Sequence, residues 1–373
     1  MKKILVAQPY LSDSETKNVN IAMQNGELSG HSGSFIGDFE KRFADYCGCH
    51  HGVTVSNGTT ALHLPLAALG IKNGDEVLVS TLTNMATFFA VLYQGAVPIP
   101  VDIEPDTLNM NPALLEALIT PRTKAILVVH LFGHPVDMDP VMLVAKKHNL
   151  VVVEDCAEAH GAMYKNRKVG SFGSAGCFSF YANKIITTGE GGMVVTNDPL
   201  LAAKMRSLKC LAFGDKLKFM HKDIGYNYRL TNLQSAIGCG QMEKIEEIIS
   251  HKRRIAAYYS EKLGDVSELQ LPVEKSYARN VYWMYHVVLK GKDVEQRSAL
   301  MQFMQKKGIE VREGFIPYNL QDVFLNMGIV RKDDCPVANS VAYNSFYLPS
   351  GPLLPEEDMD YVVESLKAGL AHS

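Results

Sequence analysis

Val151-Val152-Val153-Glu154-Asp155-Cys156-Ala157-Glu158-Ala159-His160-Gly161 reads as an apolar strand that runs into two acids and then a string of small residues. A strand with no polar alternation is covered on both faces, as in a parallel sheet flanked by helices. Ligands of such sheets sit beyond the carboxyl ends of the strands. An acid one residue past the apolar run therefore aims its carboxylate into a ligand crevice. Ala157 and Gly161 are small enough for a flat ring to lie close. On this motif alone, Asp155 also reads as a metal ligand or a helix N-cap.

Outward from this strand the pattern repeats. Apolar runs at 53–55, 76–79, 97–101, 123–130, 177–180 and 193–196 read as strands, and 61–69, 87–93, 112–118 and 138–148 as helices. The alternation predicts an α/β fold with a mostly parallel sheet. After about residue 240 the character changes. A long charged helix over 241–263, a strand at 284–289 and helices at 294–307 and 355–371 predict a smaller α+β domain. We divide the chain into 1–243 and 244–373, consistent with a length at which a single core stops growing.

Bulk properties narrow the function classes. The chain has 373 residues, 47% of them hydrophobic and 21% charged, with a net charge of −3. A nucleic-acid surface needs clustered Lys and Arg. The densest basic runs, Lys216 to Lys222 and Lys252-Arg253-Arg254, read as solvated faces. Seven cysteines at scattered positions do not form a disulfide framework and suit a reducing cytoplasm. Cys47-Gly48-Cys49-His50-His51 lacks a second ligand pair and reads as a turn after a helix, so no metal is expected. The apolar run at 4–7 is too short for a signal-peptide core, and no stretch is long enough to span a membrane.

Two further motifs carry chemistry. Ser56-Asn57-Gly58-Thr59-Thr60 lies between a strand and a helix, where free N–H groups form an anion cradle or a plain N-cap. Lys184 follows Asp155 by 29 residues, between apolar runs and ahead of Gly189-Glu190-Gly191-Gly192. A buried lysine has a lowered pKa and can hold an aldehyde cofactor as a Schiff base. Pyridoxal 5′-phosphate (PLP) is such an aldehyde, and it needs a carboxylate at its ring nitrogen. Ser179 adds a hydroxyl to the cradle. Gly170-Ser171-Phe172-Gly173 lacks the dinucleotide-binding spacing.

Together these pieces resemble the DegT/DnrJ/EryC1/StrS aminotransferases, fold-type I PLP enzymes that aminate nucleotide-linked keto sugars. The resemblance runs from about Pro9 to the final helix and includes Gly225-Tyr226-Asn227-Tyr228-Arg229-Leu230-Thr231-Asn232. It implies a homodimer with shared active sites, Lys184 as the cofactor lysine and Asp155 at the pyridine nitrogen. Gly58, Thr59, Thr60 and Ser179 would bind phosphate. Ala157, Glu158 and Asn84 would line the ring, and Asn227 would reach the neighbouring subunit's cofactor. A branch with His at the position of Lys184 performs dehydration, so the lysine favours transamination. Glu158 follows the branch that aminates sugar C4.

Three positions depart from the family pattern. Asn84 replaces an aromatic ring that covers PLP, a loss of about 1 kcal/mol of stacking, which Met85 or Phe88 would partly restore. Asn319 stands in for a His, and His134 for a Gln. Together with Arg229, these are the candidate substrate residues. The expected reaction moves the amino group of L-glutamate to a nucleotide-linked 4-keto-6-deoxy sugar. A smaller phosphorylated ketone such as dihydroxyacetone phosphate is the rival acceptor. A regulatory or binding protein without turnover is a rival of another class, against which the presence of both Lys184 and Asp155 counts.

Overall fold

The computed structural model describes residues 3–214, 216–221 and 223–371. Met1 and Lys2 of the N-terminal reading and Lys222 of the basic run lie outside the described residues. The chain forms strands β1 (His51–Val55), β2 (Glu76–Ser80), β3 (Val97–Val101), β4 (Thr123–Val129) and β5 (Val151–Asp155). A short hairpin of β6 (Met163–Tyr164) and β7 (Arg167–Lys168) follows, then β8 (Ala175–Ser179) and β9 (Gly192–Thr196).

Seven of these make one sheet in the order β1-β9-β8-β5-β4-β2-β3. Neighbours are parallel except at β9, which runs antiparallel to both β1 and β8. Strands β1, β2, β4, β5 and β8 therefore point the same way and bring their carboxyl ends to one edge. The unbroken apolar runs have the expected cause. Leu78, Ile126, Val128 and Val152 enter one buried cluster, while Val77, Val79, Leu127 and Val153 enter another. Successive side chains alternate between faces, and both faces are covered.

Strands β10 (Leu269–Gln270), β11 (Ala278–Arg279), β12 (Tyr285–Leu289), β13 (Arg312–Glu313) and β14 (Ser345–Leu348) follow. Four of them form an antiparallel sheet, β10-β12-β14-β13, against the helices Val294–Lys306 and Glu356–Leu370, around a core of its own. The first residues of the chain join this body: Ile4 bridges Ile309 and lies in that core.

Two sequence expectations need correction. The helix expected over 241–263 is two helices, Asn232–Met242 and Ile245–Leu263. At the break, Gln241 donates to Tyr10 O (2.8 Å) and Glu15 Oε1 (2.6 Å), and Lys244 Nζ lies 2.7 Å from Glu15 Oε1. The N-terminal segment thus docks where the chain bends. Second, Lys252 is not on a solvated face; it is 2% exposed. Cys47-Gly48 is a turn as read, with Gly48 at φ +74° closing the helix Ser34–Cys47. Among the described residues, no helix is long and apolar enough to cross a membrane.

Candidate active site

A cavity of about 400 Å³ opens at the carboxyl edge of the sheet. Five of the strands whose carboxyl ends share this edge each deliver a residue to its wall: Asn57 and Gly58 after β1, Asn84 and Thr87 after β2, Val129 at the end of β4. Asp155 ends β5, and Ser179 ends β8. Lys184 sits in the turn after β8, its N–H on Tyr181 O at 2.9 Å, and lines the same cavity.

Lys184 is 12% exposed in its side chain, and its Nζ lies 3.6 Å from Glu158 Oε1. The same Nζ lies 3.8 Å from the centre of the Trp283 ring. Burial lowers its pKa below the ordinary lysine value, against the opposing pull of Glu158 and Asp155. Asp155 is held from two sides. Its Oδ1 accepts the Ala157 N–H at 3.0 Å and its Oδ2 the Thr87 hydroxyl at 2.9 Å. Burial raises its pKa, and these two donors lower it in part. Glu158 is buried rather than solvated, and its Oε2 accepts the Phe132 N–H at 2.9 Å. Burial pushes its carboxyl up to about 7.

The helix Gly58–Ala68 presents its N-terminus to the cavity. Asn57 caps it, accepting the Thr60 N–H at 2.9 Å, while Thr60 Oγ1 lies 3.2 Å from the Asn57 N. The capping box leaves Gly58 and Thr59 facing the cavity and turns the Thr60 hydroxyl away from its lining. A Cβ on Gly58 would come within 2.7 Å of the Ser179 Cβ, so the helix start and the end of β8 are in close contact. Asn84 lines the cavity as an exposed residue, its Oδ1 accepting the Ala86 N–H at 3.0 Å. Ala157 lines it as well.

Besides Thr60, four of the candidate residues do not line this cavity. His134 is buried, with Nδ1 2.7 Å from Pro135 O and Nε2 accepting the Lys275 N–H at 3.2 Å. Burial lowers its pKa to about 4. Asn319 is buried too, accepting the Thr81 hydroxyl (2.9 Å) and donating to Lys332 O and Asn339 Oδ1 (both 2.8 Å). Asn227 is exposed and pairs with Cys210 in an isolated bridge. Arg229 keeps a buried Nη1 with no hydrogen-bond partner among the described residues.

The sequence reading missed Thr87, Trp283, Tyr347, Phe315 and Arg312, all in the cavity wall. Thr83 and Thr87, one helical turn apart with hydroxyls 3.0 Å from each other, carried a faint signal. Trp283 carried none, being remote in the chain from Lys184.

One cluster beside the site has the makings of a metal centre: His130, Glu154 and Cys156. Two of its three members, Glu154 and His130, already have their acceptors occupied. Glu154 takes the N–H groups of Gly170, Phe172 and Gly173, each at 2.7 Å, and lies 3.1 Å from His130 Nε2. His130 Nδ1 accepts the Val136 N–H at 3.1 Å. The Gly170–Gly173 segment is thus a turn wrapped on a buried carboxylate.

Residues 9–367 match the DegT/DnrJ/EryC1/StrS aminotransferase family. The chain is 43% identical, over 98% of its own length and 98% of the relative, to GDP-perosamine synthase of Caulobacter vibrioides. Its fold superposes on S. venezuelae DesV, solved with a ketimine intermediate, with a TM-score of 0.90, 32% identity and coverage of 99% and 98% of the two chains. The PLP form of Streptococcus pneumoniae Spr1654 gives a TM-score of 0.94 at 25% identity, covering 100% of this chain and 99% of that one. With the family matched from the ninth residue into the last helix, and the fold shared throughout, this chain belongs to the DegT/DnrJ/EryC1/StrS family of PLP-dependent aminotransferases.

Proposed function

We propose that this protein transfers the amino group of L-glutamate to a nucleotide-linked 4-keto-6-deoxy sugar, in keeping with the name GDP-perosamine synthase of its Caulobacter relative. The observation that carries the reading is the meeting of a largely buried lysine, a doubly hydrogen-bonded carboxylate and a helix N-terminus around one cavity.

The residues suit PLP. Lys184 offers a buried amine for the aldehyde, and Asp155 a carboxylate for the ring nitrogen. The helix N-terminus at Gly58 and Thr59, with the Ser179 hydroxyl, offers donors for the phosphate. Asn183 Oδ1, buried in the same wall, lacks a hydrogen-bond partner among the described residues. Asn84, Ala157 and Glu158 complete the walls around the ring, and Thr60 contributes only through the cap.

When bound, PLP supplies an aldehyde that accepts the amino group and a protonated ring that draws electrons from the carbon losing its proton. Lys184 Nζ takes that proton from the donor's α-carbon and returns one to the acceptor carbon. Asp155, held by Thr87 and Ala157, keeps its charge toward the ring nitrogen. Glu158 Oε1, at 3.6 Å from Lys184 Nζ, tunes the amine's charge.

The same reading makes the protein a cytoplasmic homodimer with a division at 243/244. Leu217, Phe219, Met220 and Ile224 are each at least 62% exposed and lie next to Asn227 in the chain. Such an apolar surface suits a second copy, which would carry Asn227 and Arg229 toward the neighbouring cavity. His134 and Asn319 receive no substrate contact in this reading, because their polar groups are already bonded elsewhere.

The test is an assay of purified protein with L-glutamate and, in turn, a GDP-linked keto sugar, a dTDP-linked keto sugar and dihydroxyacetone phosphate. Formation of 2-oxoglutarate beyond one equivalent per site only with a sugar nucleotide is expected. Turnover restricted to dihydroxyacetone phosphate would overturn the choice of acceptor.

A further inference from the structure

Lys252 belongs to the helix Ile245–Leu263, outside the cavity lining, and is 2% exposed. Its Nζ donates to Trp283 O and Ser350 O, both at 2.7 Å. Among the described residues no carboxylate pairs with it. An amine buried against carbonyls alone, its pKa pushed down to about 7 by burial, is a costly way to fill space; a methionine stem would fill the same volume without the desolvation. What the amine adds is a grip on two particular carbonyls.

One of those carbonyls belongs to Trp283, whose other polar groups are also bonded. Its N–H donates to Phe132 O at 2.9 Å, and its indole Nε1–H to Asn183 O at 2.8 Å. The preceding residue, Tyr282, has φ +48°, a left-handed conformation that persists only where surrounding contacts hold it. The indole so fixed lies 3.8 Å from Lys184 Nζ. Three anchors on one residue, two on its backbone (one from a buried lysine) and one on its indole, set the face that the amine meets.

We propose that Lys252 is a positioning residue for Lys184, acting through Trp283: by holding the Trp283 carbonyl it sets the indole against the amine. The proposal rests on the reading of Lys184 as the amine that holds the cofactor.

Trp283 is the sole tryptophan of the chain, so its emission reports this contact directly in cofactor-free protein. The experiment combines that emission with the rate at which borohydride traps PLP on the Lys184 peptide, read by mass spectrometry. The proteins are wild type, Lys252→Met, Trp283→Leu and the double variant. Lys252→Met is expected to shift the emission and slow trapping by about tenfold. In the Trp283→Leu background the same substitution should change trapping by less than about twofold, the signature of residues acting through one another. Equal slowing in both backgrounds, or an unchanged emission in Lys252→Met, overturns the proposal. If Lys252→Met fails to fold, Lys252→Gln, which keeps amide donors on a shorter stem, completes the cycle under the same criteria. No adduct on Lys184 in wild type would overturn the reading of that lysine instead, and the emission would still decide whether Lys252 sets the indole.

Discussion

The Thr87 hydroxyl donates to Oδ2 of Asp155 at 2.9 Å, joining residues 68 positions apart. Thr83 Oγ1 lies 3.0 Å behind it. A buried carboxylate stays charged only if donors replace the water it has lost. Thr87→Val removes one of two such donors without changing side-chain volume much. A hydrogen bond to a charged group contributes about 2 kcal/mol, so kcat should fall by at least about tenfold with the KM for glutamate little changed. Thr87→Ser should recover most of the loss. Steady-state kinetics of the two variants decide this, and a Thr87→Val enzyme at wild-type speed would show that the contact is idle.

Lys184→Ala should abolish amino transfer and leave no borohydride-stable adduct on its peptide. Circular dichroism should be unchanged, because the side chain reaches into a cavity and not into the core. Amino-group exchange at wild-type speed in this variant would end the assignment.

Glu158 has a folded-state pKa of about 7 against an ordinary 4.5, raised chiefly by burial. A raised pKa means that the folded protein favours the protonated acid. That stability is fully present below about pH 4.5 and is lost as pH rises through about 7. Melting of the cofactor-free protein between those values should therefore show a decline with pH, shallower in Glu158→Gln. Identical slopes in both proteins would show that Glu158 titrates normally.

Gly58 has no room for a side chain: a Cβ would sit 2.7 Å from Ser179 Cβ and 3.0 Å from its Oγ. Gly58→Val should weaken PLP binding by about tenfold or more, because the helix N-terminus must move off its anion site. Equilibrium titration of the cofactor-free protein measures it. An unchanged affinity would place the phosphate elsewhere.

Glu154 is a structural acid. Glu154→Ala strands three N–H groups of the Gly170–Gly173 turn and should cost about 3 kcal/mol or more. Urea unfolding gives the magnitude. Zinc should not raise the melting temperature of the wild-type protein, since the acceptors of His130 and Glu154 are in use. A zinc-dependent rise would make the cluster a metal site after all.

The sequence by itself determined the parallel sheet and the edge where its ligand would sit. Both are local facts: the two-residue period of a strand decides which faces are covered, and Asp155 must follow Val153 by covalent continuity. Lys184 and Gly58 were legible for the same reason, each lying just past a strand. Only the tertiary structure decided what surrounds them. Thr87 reaches Asp155 across 68 residues, Trp283 reaches Asn183 across 100 and Lys252 reaches Trp283 across 31. It also drew Asn319 and His134 into bonds away from the cavity and buried Lys252 in a run that reads as solvated. Side-chain contacts between distant segments have no period in the chain, so they exist only once the sheet and its covering helices have been packed.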